Sequence, residues 1–183
     1  MKGESVAGSV SIGQVGIVVL TLMILGSVVF TLLPTTGGHP PRGARRIVCL
    51  NNVKQITVLA RIYADRNGNR FPEARRACDA LAKIRELDPD VSAETFVCPN
   101  SDVEVEKDTP LTPDTSTYAW TEDPRRGKAR RPLVSDDSLH YHRDGLNVGF
   151  TTGDVRWVPL AELPAGETLP EGLINNFGSR PSR

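Results

Sequence analysis

Apolar residues fall along this chain in three regimes. From Val15 to Leu33 they run almost unbroken, as VGIVVLTLMILGSVVFTLL. Nineteen helical residues rise about 28 Å, close to the hydrocarbon thickness of a bilayer, and backbone inside lipid must satisfy its own hydrogen bonds. The run therefore predicts a transmembrane helix over residues 15–33, ended by Pro34. It is too long for the apolar core of a cleaved signal peptide. From Ile47 to Asp65 the apolar positions are Ile47, Leu50, Val53, Ile56, Ala60 and Tyr63, the three-and-four spacing of an amphipathic helix. Asn67-Gly68 suits its end. Ala74 to Leu87 repeats that spacing in a smaller helix through Ala77, Leu81, Ile84 and Leu87, closed by Asp88-Pro89.

Beyond residue 116 the period changes. Thr117–Thr121, Pro132–Ser135, Leu146–Thr151 and Val155–Leu160 are short β-type runs separated by Gly, Asp and Pro. Thr152-Gly153-Asp154 reads as a tight hairpin turn, with Gly153 supplying a positive φ. The expected class is α+β: one N-terminal transmembrane helix, then an amphipathic helix, a smaller helix and a C-terminal antiparallel sheet. In numbers, 1–14 is an N-terminal tail, 15–33 the span, 34–45 a Pro/Gly-rich tether, 46–163 the globular domain and 164–183 a flexible tail rich in Pro, Gly, Asn and Ser.

Charge sharpens this division. The 22 Lys+Arg balance 22 Asp+Glu, and a net charge of zero argues against a nucleic-acid partner. Only Lys2 and Glu4 precede Arg42, so Ser5 to Pro41 carries no Asp, Glu, Lys or Arg. A lipid bilayer is the partner this implies, with the chain crossing once. Arg125 to Arg131 holds five positive charges in seven residues but no interleaved aromatic, and Glu122 and Asp123 sit beside it; it reads as a solvated loop.

Several motifs, in order, resemble the prepilin-like and type II secretion pseudopilin-like proteins of bacteria. Cys49-Leu50-Asn51-Asn52-Val53-Lys54-Gln55-Ile56, then Tyr63-Ala64-Asp65, Asn67-Gly68 and Phe71-Pro72, is similar to their helix and following turn. Phe96-Val97-Cys98-Pro99 resembles their F-x-C-P, and Thr117-Tyr118 their Ser/Thr-Tyr strand. His142, nine residues, then Thr152-Gly153, with Asn147 and Phe150 between, resembles their C-terminal His-(nine residues)-Asp-Gly signature, Thr standing for Asp. The usual G-F-T-L-x-E processing site has no counterpart, since no Glu lies between Ser5 and Pro41.

The resemblance implies a cytoplasmic N-terminus in the bacterial inner membrane and a periplasmic or extracellular pilin-like domain. It implies a non-enzymatic structural or assembly protein that contacts copies of itself or secretion or pilus machinery. A second reading is a membrane-tethered extracytoplasmic module that binds a protein ligand or Ca²⁺ and enters no filament.

Three cysteines permit one disulfide in an oxidising compartment. Cys49 and Cys98 are the pair implied by the resembling motifs, leaving Cys78 over. Zinc is not expected, because no C-x-x-C occurs and His140 and His142 lack cysteines at a customary spacing. Asp136, Asp137, His140, His142 and Asp144 form the one acidic and imidazole cluster, which fits Ca²⁺ by its oxygens and by the calcium loop of some pseudopilins. No catalytic residue, metal ligand or resident cofactor is otherwise expected; His142 is read as a structural residue of the hairpin.

Overall fold

The computed structural model describes residues 12–32, 42–123, 125, 129–136, 142, 144–163, 169–170 and 172–175. It divides into two compact units, Met1–His39 and Pro40–Arg183. The first unit is helix α1 (Ile12–Leu32). Its hydroxyls bond back along the helix as an apolar helix requires, Thr21 donating to the Ile17 carbonyl at 2.8 Å and Ser27 to that of Ile24 at 3.1 Å.

The membrane expectation is corrected here. Among the described residues no helix is long and apolar enough to cross a membrane. The expected transmembrane helix over 15–33, single-pass membrane topology and inner-membrane location with a periplasmic domain are accordingly not supported.

The second unit starts with α2 (Arg42–Arg66), so residues 42–45, expected in the tether, are already helical. The expected tether residues 34–41 lie outside the described residues. The buried stripe of α2 is Cys49, Val53, Ile56, Ala60 and Ala64. It is turned slightly from the predicted one: Ile47 is 61% exposed, whereas Asn52 and Thr57 are buried. The helix ends where Asn67-Gly68 predicted, with Gly68 and Asn69 at φ 63° and 60° and the Asn69 amide donating to the Ala64 carbonyl at 2.8 Å. Helix α3 (Ala77–Arg85) buries Ala77, Cys78, Ala80, Leu81 and Ile84. A 3-10 turn, Ala93–Phe96, leads into the Phe96-Val97-Cys98-Pro99 motif.

The sheet is antiparallel throughout, with spatial order β4-β3-β2-β1-β5. Its strands are β1 (Tyr118–Thr121), β2 (Pro132–Asp136), β3 (Gly145–Phe150), β4 (Val155–Pro159) and β5 (Leu173–Ile174). The first four are the predicted runs joined as a meander. The fifth falls in the segment expected to be a flexible tail. It pairs with β1 through Trp120↔Ile174 and Thr121↔Leu173, and Leu169, Leu173 and Ile174 are buried. The reason is that the sheet has two apolar faces. Tyr118, Trp120 and Val134 join α2 and α3 in one core. Ala119, Leu146, Val148, Phe150 and Val158 form a second, which Leu163, Leu169 and Leu173 complete. Without that C-terminal segment the second face would lie open to water.

Helix α2 lies directly on β3 at Gly149, where a Cβ would stand 2.1 Å from Thr57 Oγ1 and 3.0 Å from Val134 Cγ1. Gly149→Ala is therefore expected to lower stability by about 1–3 kcal/mol in a urea titration, through overpacking. Gly43→Ala in the first turn of α2, where nothing stands within 4 Å, is expected not to destabilise.

Candidate functional site

Four side chains remote in sequence converge at one end of the second unit: Cys49 of α2, Cys98 beyond the 3-10 turn, Asp136 at the end of β2 and His142 before β3. All four are buried, and their ligand atoms lie within 4.8 Å of one another. The Cys49 thiol donates to Asp136 Oδ1 at 2.5 Å, and its sulfur is 3.3 Å from the Tyr118 hydroxyl. His142 Nε2 is 3.7 Å from Cys98 Sγ and 3.7 Å from Asp136 Oδ2.

Each of these groups is aimed by a neighbour. Asp136 Oδ2 accepts from the Asn147 amide at 2.8 Å and from Asn147 Nδ2 at 3.1 Å. His142 Nδ1 is held by Asn100, whose Nδ2 donates at 3.2 Å, and the imidazole meets the Trp157 ring edge-on at 5.7 Å between centroids. The Arg46 guanidinium covers that indole 3.4 Å from its centre. The Cys98 amide donates to Thr117 Oγ1 at 2.5 Å, which fixes the turn that the Ser101 amide closes onto the Cys98 carbonyl.

Burial and mutual contact split the two thiols. Burial pushes the Cys49 thiol well above its ordinary range. Cys98 is held at about 6, chiefly by the neighbouring Cys49 thiol, against burial and with help from His142. Burial also raises the Asp136 carboxyl, while the nearby imidazole and its donors partly restore the anion. For His142 burial is the largest influence and lowers it. The Cys98 sulfur and the Asp136 charge outweigh burial, so the imidazole holds its proton more firmly than a free one. The result is a buried proton-sharing cluster. A low thiol beside an imidazole resembles a nucleophile pair, here with the Cys98 sulfur at 0% exposure.

The structure brings together both cysteines implied by the resemblance, and all three cysteines are free thiols. Cys78 lies apart, against Asp79 on α3. The residues of the His-(nine)-Thr-Gly pattern divide between two places. His142 and Asn147 belong to the cluster. Phe150, Thr152 and Gly153 form the β3–β4 turn at the opposite end. There Gly153 has φ 96°, Arg61 of α2 donates to the Thr152 carbonyl at 3.0 Å, and Arg130 lies 3.5 Å over the Phe150 ring.

Of the acidic and imidazole set considered for Ca²⁺, Asp136 and His142 are in the cluster. Asp144 is exposed and 4.0 Å from Arg46; Asp137 and His140 lie outside the described residues. In the basic loop, Arg125 and Arg131 pair with Asp123 and Arg130 with Asp154. Arg126 and Lys128 are not among the described residues.

Sequence reasoning did not join Asp136 to the cysteines or see the roles of Asn147 and Tyr118. Their separations along the chain carry no signal for it, because pairing of β1 with β2 and of β2 with β3 creates the proximity. No protein-family model, curated protein or solved structure matches this chain.

In reduced, chelator-treated protein, Asp136→Ala is expected to cost about 1–3 kcal/mol for each donor of Asn147 or Cys49 left without an acceptor. Tyr118→Phe, which removes a single weak contact to sulfur, is expected to cost about 1 kcal/mol or less. Urea midpoints of the two variants against the parent check this ordering.

Proposed function

We propose that the protein works without catalysing a reaction, as a pilin-like assembly subunit whose copies pack through α1. One observation carries this reading. Nine large apolar side chains between Val15 and Leu25 are each half exposed or more, and at 100° per residue they point in every direction around the helix. A helix apolar on all sides is stable in water only when something covers it. A second copy of the same helix supplies a matching surface, and Gly16 and Gly26, with open space at their Cβ positions, let two helix backbones approach. The ordered motifs shared with pilin-like proteins, and the plan of an apolar helix followed by a long helix laid on an antiparallel sheet, support the same reading.

The test places a photo-reactive residue at one position at a time from Val15 to Leu25 in the full chain. Covalent self-adducts are expected, with yields that rise and fall every three to four residues as a fixed register demands. Gly16→Leu is expected to reduce them. Equal yields at every position, or no self-adduct at any, would sink the proposal.

A further inference from the structure

We infer that Cys49, Cys98, Asp136 and His142 form a structural site for a divalent metal ion of the zinc type. The set is two sulfurs, one imidazole nitrogen and one carboxylate oxygen, all buried and within 4.8 Å of one another. Metal–ligand bonds of 2.0–2.3 Å place tetrahedral ligands about 3.3–3.8 Å apart. The two 3.7 Å separations of His142 Nε2, to Cys98 Sγ and to Asp136 Oδ2, are of that size.

The softness of two sulfurs selects zinc-like ions over Ca²⁺, which takes six to eight oxygens. Four protein ligands close the coordination sphere and leave no position for substrate, the mark of a structural rather than a catalytic ion.

The surroundings are those of a ligand set that is held in place. Asn147 fixes the Asp136 carboxylate with two hydrogen bonds, and Asn100 fixes the imidazole through Nδ1, so Nε2 faces the sulfurs. Turning the Asn100 amide over presents its oxygen to an Nδ1–H, the tautomer that leaves Nε2 with a free lone pair. The chemistry also balances. Without metal, the Cys49 proton lies toward Asp136 Oδ1, and a second proton serves Cys98. Binding forms two metal–sulfur bonds and releases those two protons to solvent, while the imidazole proton moves from Nε2 to Nδ1. A dication then neutralises two of the three charges of this buried ligand set. Because every ligand lies within residues 42–175, the site does not depend on self-association through α1.

The test uses the full chain, reduced and stripped with a chelator, then titrated with Co²⁺ and back-titrated with Zn²⁺. One equivalent of Co²⁺ is expected to give a thiolate-to-cobalt charge-transfer band and the intense visible bands of tetrahedral cobalt, with two protons released and both bands lost on adding Zn²⁺. Cys49→Ser and Cys98→Ser are expected to abolish the charge-transfer band or halve it, and Cys78→Ser to leave it unchanged. Asn147→Ala, which removes no ligand, is expected to weaken Co²⁺ binding about 10- to 100-fold. Circular dichroism of the stripped variants separates loss of binding from loss of fold, and Cys78→Ser controls for a thiol buried elsewhere. Two results would each overturn the site: no charge-transfer band in the folded parent, or a band removed by Cys78→Ser.

Discussion

A carboxylate that water never reaches sets the terms for one end of this domain. Asp136 is fully buried, so its oxygens must find donors within the fold. They find the Asn147 backbone and side chain and the Cys49 thiol. These contacts join the last residue of β2 to the third residue of β3 and to the first buried turn of α2. Shifting β3 by one residue would turn Asn147 to the opposite face and leave the carboxylate with a single donor. A polar group that is costly to bury thereby selects one strand register and one seat for the helix.

The far end of α2 is fastened by different means. Arg61 reaches the Thr152 carbonyl, and Gly153 leaves room for the guanidinium, since a Cβ there would lie 1.9 Å from Arg61 Nη1. Between the two ends the helix rests on Gly149, where β3 has no side chain to hold it off. One helix is thus located three times, by a buried polar cluster, by a close backbone approach and by a clamp on a turn. The His-(nine)-Thr-Gly pattern spans two of these fastenings: its His serves the cluster, and its Thr-Gly serves the turn.

A metal ion in the cluster would do the same kind of work. Its four ligands come from α2, the turn after the 3-10 helix, the end of β2 and the approach to β3, segments otherwise joined by few covalent neighbours. Cross-linking them through one ion constrains the unfolded chain much as a disulfide does, but in four directions.

The order and kind of elements could be read from the sequence because they follow from local periodicity. Steps of three and four marked α2 and α3, alternating short runs marked β1 to β4, and Thr152-Gly153-Asp154 marked the hairpin. Length and apolarity also made α1 a helix, though its reading as a membrane span did not hold. What the chain alone left undecided depends on neighbours distant in sequence. The segment around Leu169 and Leu173 looked like a tail because nothing nearby shows that the sheet has a second apolar face to cover. Residues 49, 98, 136 and 142 show no customary ligand spacing along the chain; the seating of α2 on the sheet and the pairing of strands bring them together. Periodicity is a property of adjacent residues, so the sequence determined the elements. A binding site is a property of register and packing, so only the tertiary structure could decide which of the cysteines, acids and histidines meet.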